Sequence, residues 1–312
     1  MPEAPPTAAT AAPADEEVRP SLVRPLLFAA LVAAGVIAGA LTANVRLGAE
    51  LQREEQEELE AVATLRAEQL AAWRTERLAA GRALAQLAGA AVDAGGWPGP
   101  GERQDALLRQ LEAARVGLRD ASAVAVLDGA RRVRHAVGLP PGALELPSLG
   151  PALAEAARLG AAHLSEPHAA APGEPPHLDL VAPLPGRGAA AGGFVLVRLD
   201  PRIVVFGELL EWPVPSHSGQ AVVLRPEGDR FTVLGTAGRH LPEPLAGLPA
   251  RGDDPLARAA RGERGGLVAR RSDGAEVLAL ALPVAGTGWV LVATQDLSES
   301  LAPLRTQTLT VV

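Results

Sequence analysis

The chain contains no cysteine, no tyrosine and no lysine. Without cysteine there are no disulfides, no thiolate metal sites and no cysteine nucleophile. Arginine supplies the cationic side chains, and alanine, glycine and proline are abundant. This is a compositional bias, so Ala-rich or Arg-rich stretches carry little meaning alone. The formal net charge is −7, and no arginine cluster is interleaved with aromatics, which argues against a nucleic-acid binder. Catalytic signatures are missing too: there is no His-Glu-x-x-His, no phosphate-cradling glycine loop ahead of a helix, and no Gly-x-Ser-x-Gly. No histidine sits in a helix with the neighbours of a kinase phospho-acceptor. The expectation is a non-enzymatic stretch without a cofactor.

What is present begins with an apolar run from Pro25 to Ala43, about 19 residues, close to the ~20 that cross a bilayer as a helix. Its core is too long for a signal peptide, and the helical pattern runs through any cleavage point at Ala38-Gly39-Ala40. Residues 25–45 therefore read as an uncleaved transmembrane helix. Arg19 and Arg24 on one side nearly balance Arg46 and Arg53 on the other, so charge leaves the orientation open. Residues 1–24 are Pro/Ala/Thr-rich and read as a disordered tail. No turn signal follows the apolar run. A charged Ala/Leu/Glu/Arg segment continues as helix to Val92-Asp93, where Ala94-Gly95-Gly96-Trp97-Pro98 ends it. The part beyond the membrane, 46–96, would be roughly 70 Å long. Leu70, Trp73, Ala80, Leu84, Leu87 and Ala91 form one apolar stripe on it. Glu68, Arg74, Glu76 and Arg82 occupy the other face. The stripe must pack on a second copy or on the chain's own folded part, with Trp73 as a core residue.

Beyond the spine the periodicity changes. A helix is expected over 102–118, then a hairpin of 122–127 and 132–137 around Asp128-Gly129. A helix over 151–159, a short segment 162–165 and strands 177–184 and 193–199 follow. After a connecting helix over 201–212 the order recurs: a hairpin of 220–225 and 230–234, a helix over 255–261, and strands 266–270, 276–281 and 289–293. Leu178-Asp179-Leu180-Val181-Ala182-Pro183-Leu184-Pro185-Gly186 is echoed by Leu278-Ala279-Leu280-Ala281-Leu282-Pro283-Val284-Ala285-Gly286. This internal repeat implies an α+β chain with two lobes, each an antiparallel sheet of about five strands, since short connections favour antiparallel pairing.

These stretches, with Phe194-Val195-Leu196-Val197-Arg198-Leu199-Asp200-Pro201, Trp212-Pro213-Val214-Pro215-Ser216-His217-Ser218 and Gly286-Thr287-Gly288-Trp289-Val290-Leu291-Val292-Ala293, resemble the double Cache sensor domain of bacterial transmembrane receptors. The likeness covers about residues 25–305 and points in particular to PAS-containing sensor histidine kinases. It implies two PAS-like lobes hung on one long helix, extracytoplasmic and anchored in the bacterial inner membrane. On that template 1–24 is a cytoplasmic tail, 25–45 the membrane helix and 46–96 the spine. The membrane-distal lobe is 97–200, the connecting helix and linker 201–218, and the membrane-proximal lobe 219–298. Residues 299–312 look like the start of a truncated second transmembrane helix. A histidine kinase or diguanylate cyclase output would lie beyond. The implied partners are the membrane, an unknown small-molecule ligand and a second copy in a homodimer; nucleic acid is not among them. The alternative is a periplasmic protein-interaction or dimerisation module with no small-molecule ligand.

The resemblance implies a pocket in the lobe of 97–200. Its polar strand residues are Asp179 and Arg198, with Arg132 and His163 on neighbouring strands. Arginine can clamp a carboxylate, and aspartate can receive an amine. Amino-acid-binding members use tyrosines with an Arg/Trp/Asp set, and with no tyrosine that signature is absent here. The densest polar cluster is His163, Glu166, His168, His177 and Asp179. Imidazole with carboxylate is zinc-ligand chemistry, but the spacing is irregular and a solvated loop is the preferred reading, so no metal is expected. Gly186-Arg187-Gly188 reads as a turn.

Overall fold

The computed structural model describes residues 23–93, 96–138, 146–169, 174–185, 192–213, 216–239 and 241–300. The chain divides into two compact units, residues 1–50 and 51–312. The first helix, α1 (Val23–Asp93), begins in the first unit. There Leu27, Phe28, Leu31, Val32 and Val36 stand exposed. Among the described residues no helix is long and apolar enough to cross a membrane. All but the last two residues of the expected tail, which open α1, and the greater part of the expected second span lie outside the described residues.

In the second unit α1 carries an apolar stripe that includes Leu70, Trp73 and Leu84 of the expected one, with Leu87 and Ala91 partly buried against the core and Ala80 half-buried outside it. Leu59, Ala63, Ala67, Leu70, Trp73, Arg77, Gly81, Leu84 and Ala88 are buried at steps of three and four residues, the spacing of one helix face. One apolar cluster runs from this stripe through the facing sides of both lobes, from Leu180 and Val197 to Val223 and Leu291. The helix thus packs on its own chain. Two glycines in the stripe mark the closest approach. A Cβ at Gly81 would lie 3.1 Å from Leu180, and one at Gly89 would lie 2.7 Å from Cδ of Pro185.

The first lobe places α2 (Glu102–Gly117) and α1 on one face of a five-stranded sheet. Its strands are β1 (Ala121–Asp128), β2 (Val133–Val137), β3 (His163–Leu164), β4 (Leu178–Pro183) and β5 (Gly193–Leu199), in the order β2-β1-β5-β4-β3, all antiparallel. Helix α3 (Leu146–Leu159) covers the other face through Leu149, Leu153 and Ala156.

The second lobe repeats this wiring. Its strands are β6 (Gln220–Glu227), β7 (Arg230–Ala237), β8 (Gly247–Pro249), β9 (Gly265–Arg270), β10 (Glu276–Pro283) and β11 (Val290–Asp296), in the order β8-β7-β6-β11-β10-β9. Short helix α4 (Pro255–Ala260), capped by the Asp254 carboxylate on Leu256 N–H, takes the place of α3. The chain closes its described part with α5 (Leu297–Ser300).

Three expectations need correction. The connecting helix over 201–212 is a turn followed by a π-helix, Val205–Leu209. Its amides reach back five residues, Phe206 N–H to the Pro201 carbonyl at 2.8 Å and Leu209 N–H to that of Val204 at 2.9 Å. The β-branched Ile203-Val204-Val205 run resists ordinary helix, and Phe206 sits where a Cβ at Gly235 would come within 2.1 Å of its ring. Helix α3 begins at Leu146, with Pro151 inside it. Strand β8 makes the second sheet six-stranded, one more than expected.

Candidate functional site

Strand β4 has two different faces. Leu178, Leu180 and Ala182 join the cluster on α1, while Val181 joins the one under α3. Asp179 shares the α3-side face by alternation. It lies directly opposite Arg198 of β5, whose Nε donates to Asp179 Oδ1 at 3.1 Å. Asp179 has no exposed surface and Arg198 is buried. Breaking such a pair strands the remaining charge, at a cost of about 3–5 kcal/mol.

Two histidines close over this pair. His168 and His177 form an isolated antiparallel bridge, exchanging backbone N–H···O bonds of 2.8 and 2.9 Å. Their rings meet at 4.3 Å between centroids, tilted by 58°. His177 precedes Asp179 by two residues and so shares its face. His168 Nε2 lies 3.3 Å and His177 Nε2 3.8 Å from Asp179 Oδ2. Neither contact is an aligned hydrogen bond. His168 Nε2, His177 Nε2, Asp179 Oδ2 and Arg198 Nη2 are all buried without a hydrogen-bond partner. Each such atom costs about 1–3 kcal/mol, and here four are gathered in one place. The other ring nitrogen of His168, Nδ1, is 2.9 Å from the Glu166 carbonyl.

The charges are mutually adjusted. Burial opposes ionisation of Asp179, but the facing His168 and Arg198 outweigh it and hold the carboxyl below its ordinary value. The same carboxylate holds the His168 ring above its ordinary value. Burial holds the His177 ring below its own.

Of the four residues singled out in the sequence, Asp179 and Arg198 are brought together. His163 on β3 pairs with Val181, two positions along the same face. Arg132 is exposed in the β1–β2 turn, bound to Asp128 at 3.0 Å, toward the edge of the sheet opposite His163. The solvated-loop reading of the polar cluster is corrected: His177 and Asp179 are buried and His168 is half-buried. The expected turn at 186–188 lies outside the described residues. Spacing does not reveal the partnership of His168 and His177, because it depends on a backbone bridge between residues nine apart. The His-x-Asp alternation at 177 and 179 was the available signal.

A second feature lies on the equivalent face of the second lobe. Between the sheet and α4 is a cavity of about 360 Å³ with an apolar lining that includes Val222, Phe231, Leu241, Leu248 and Leu256. Gln220 and Thr294, paired across β6 and β11, supply polar groups. The Gln220 amide donates to the Arg239 carbonyl at 2.7 Å, and its Oε1 is buried and unpartnered. Arg271 at the wall is already bound by Asp273 and Asp296 at 2.7 and 2.9 Å.

No protein-family model matches the chain, and no curated relative does. Solved structures match both lobes. The sensory domain of the Campylobacter jejuni chemoreceptor Tlp3 covers 81% of this chain and 98% of its own length, at 8% identity and a TM-score of 0.57. The ligand-binding domain of the Pseudomonas aeruginosa PAO1 amino-acid chemoreceptor PctB, in complex with L-Arg, covers 80% and 98%, at 18% identity and a TM-score of 0.57. That of PctC, in complex with GABA, covers 78% and 100%, at 17% identity and a TM-score of 0.54. The chain therefore has the two-lobed double Cache fold of chemoreceptor sensory domains, as the sequence resemblance implied.

Proposed function

We propose that this chain is the extracytoplasmic sensor module of a bacterial membrane receptor, non-enzymatic in itself, which binds a small molecule and passes a change of shape along α1. The observation that carries this reading is the two-lobed fold on one long helix, shared with chemoreceptor sensory domains over about four-fifths of the chain. The exposed Leu27, Phe28, Leu31, Val32 and Val36 of α1 support an anchor in the inner membrane at 25–45. On the sequence resemblance, the module works as a homodimer, continues into a second span from about residue 299, and feeds a sensor histidine kinase.

The sequence resemblance assigned the ligand to the first lobe, at Asp179 and Arg198. That pair is buried and its members are bonded to each other, so we assign the small molecule to the second-lobe cavity instead. Its volume of about 360 Å³ is within the range of small-molecule sites. Apolar walls with an unpartnered Gln220 Oε1 and a Thr294 hydroxyl favour a largely apolar ligand bearing a hydrogen-bond donor. Strands β6 and β11 line this cavity on one face and meet the α1 cluster through Val223 and Leu291 on the other. A ligand that prefers one setting of the sheet would bias the setting of the helix. It can do so only by its difference in affinity for the two states.

The test is calorimetric titration of the full chain in detergent with a panel of small metabolites, beside Ala257→Phe, which fills the cavity. Binding by the wild type that the variant loses supports the assignment. Binding that the folded variant keeps unchanged moves the site elsewhere.

A further inference from the structure

We propose that the first lobe holds a divalent metal ion of the zinc class, ligated by His168 Nε2, His177 Nε2 and Asp179 Oδ2. One ligand atom from each of the three residues lies within 4.8 Å of those of the other two. Metal–nitrogen and metal–oxygen bonds of about 2.0–2.2 Å at tetrahedral angles separate ligand atoms by roughly 3.2–3.6 Å. Of the distances from Oδ2 to the two imidazoles, 3.3 Å falls inside that range and 3.8 Å just above it. All three atoms are buried, and none has a hydrogen-bond partner. A buried donor set that converges without bonding within itself lacks a common partner, and a cation accepts from all three at once.

The supports around the set are those a metal site needs. Ligating imidazoles commonly give their other N–H to a backbone carbonyl, which fixes the tautomer. His168 Nδ1 lies 2.9 Å from the Glu166 carbonyl, so as a donor there it leaves the Nε2 lone pair free. The carboxylate is oriented by Arg198 on its other oxygen at 3.1 Å, so guanidinium and ion divide one carboxylate between them. Asp179 N–H donates to Ser165 Oγ at 2.8 Å. The ligands stand on a hydrogen-bonded bridge pair and on an interior strand, so their spacing is set by backbone.

Two imidazoles and one carboxylate leave a coordination position open, as zinc and its first-row neighbours accept. No thiolate is involved, so the site suits an oxidising compartment. The geometry is independent of the cavity in the second lobe and of the sensor reading.

The experiment is zinc binding by the full untagged chain in detergent, stripped with chelator and then titrated with Zn²⁺ alone. One ion per chain is expected. His168→Gln with His177→Gln should abolish it, and His163→Ala, which leaves the three ligands in place, should not. Circular dichroism reads the fold of each variant. X-ray absorption on zinc-loaded wild type gives the answer without a variant, through scattering from two imidazoles and an oxygen. The proposal is overturned if the wild type takes up no zinc, if the absorption spectrum shows no imidazole pair, or if the folded double variant binds as well as wild type.

Discussion

Asp179 is the side chain on which the polar chemistry of the first lobe turns, because it answers Arg198 and both histidines at once. Asp179→Ala leaves the Arg198 guanidinium buried and uncompensated, and should cost about 3–5 kcal/mol in a urea unfolding series. Adding Arg198→Met should recover most of that loss, since replacing both charges of a buried pair is far milder than removing one. A loss under about 1 kcal/mol from the single change would mean that water reaches the pair. Glu299 offers the pH test. Burial works against its charge, but the Ser218 and Ser216 hydroxyls and the amides of His217 and Ser218 hold the carboxyl below its ordinary value. A lowered folded value gives stability that is complete above the unfolded value, about 4.3, and is lost as pH falls through the folded one. Glu299→Gln should therefore flatten the fall in stability of wild type below that pH. An unchanged acid limb would show that the carboxylate is not held in solution.

Among the elements, α1 and β4 fit each other at glycine. Gly89 stands in a helix where alanine would gain about 1 kcal/mol in propensity, yet a Cβ there would lie 2.7 Å from Pro185. Gly89→Ala should thus destabilise by about 1–3 kcal/mol, read as a lower melting temperature. A stabilised variant would mean that Pro185 yields freely. The same elements show what a sequence discloses. The spine stripe was legible because burial on a helix recurs at three and four residues, and Leu70, Trp73 and Leu84 obey it. The inward-facing Arg77 was not, since charge predicts exposure; it is buried because Asp120 accepts its Nε and also the Trp73 indole N–H. The hairpins were legible from alternation around Asp128-Gly129 and Glu227-Gly228-Asp229. Strand β8 is three residues long, too short to show a period. The π-helix at 205–209 reads as ordinary helix because the β-branched Ile203-Val204-Val205 run weakens the four-residue ladder without disclosing that a five-residue one replaces it. The cavity depends on how far α4 stands off its sheet, which only packing decides.

Across the whole molecule, Glu166 joins the lobes. Its backbone carbonyl meets His168 Nδ1, and its carboxylate accepts the Trp289 indole N–H at 2.5 Å with Arg225 at 3.9 Å. The polar cluster of the first lobe and the β10–β11 turn of the second are therefore one residue apart. Trp289→Phe keeps most of the packing and removes the donor. It should cost only about 1 kcal/mol, while hydrogen exchange should quicken around residues 163–168 as well as in the second lobe. Quickening confined to the second lobe would mean that Glu166 does not couple the two. The most direct test of the sensor account joins the chain to the signalling output of a receptor with a measurable response. A compound that binds the wild type should change that output, and Ala257→Phe should be silent at the same expression level. Binding without any change in output, or an unaltered response in Ala257→Phe, would contradict it.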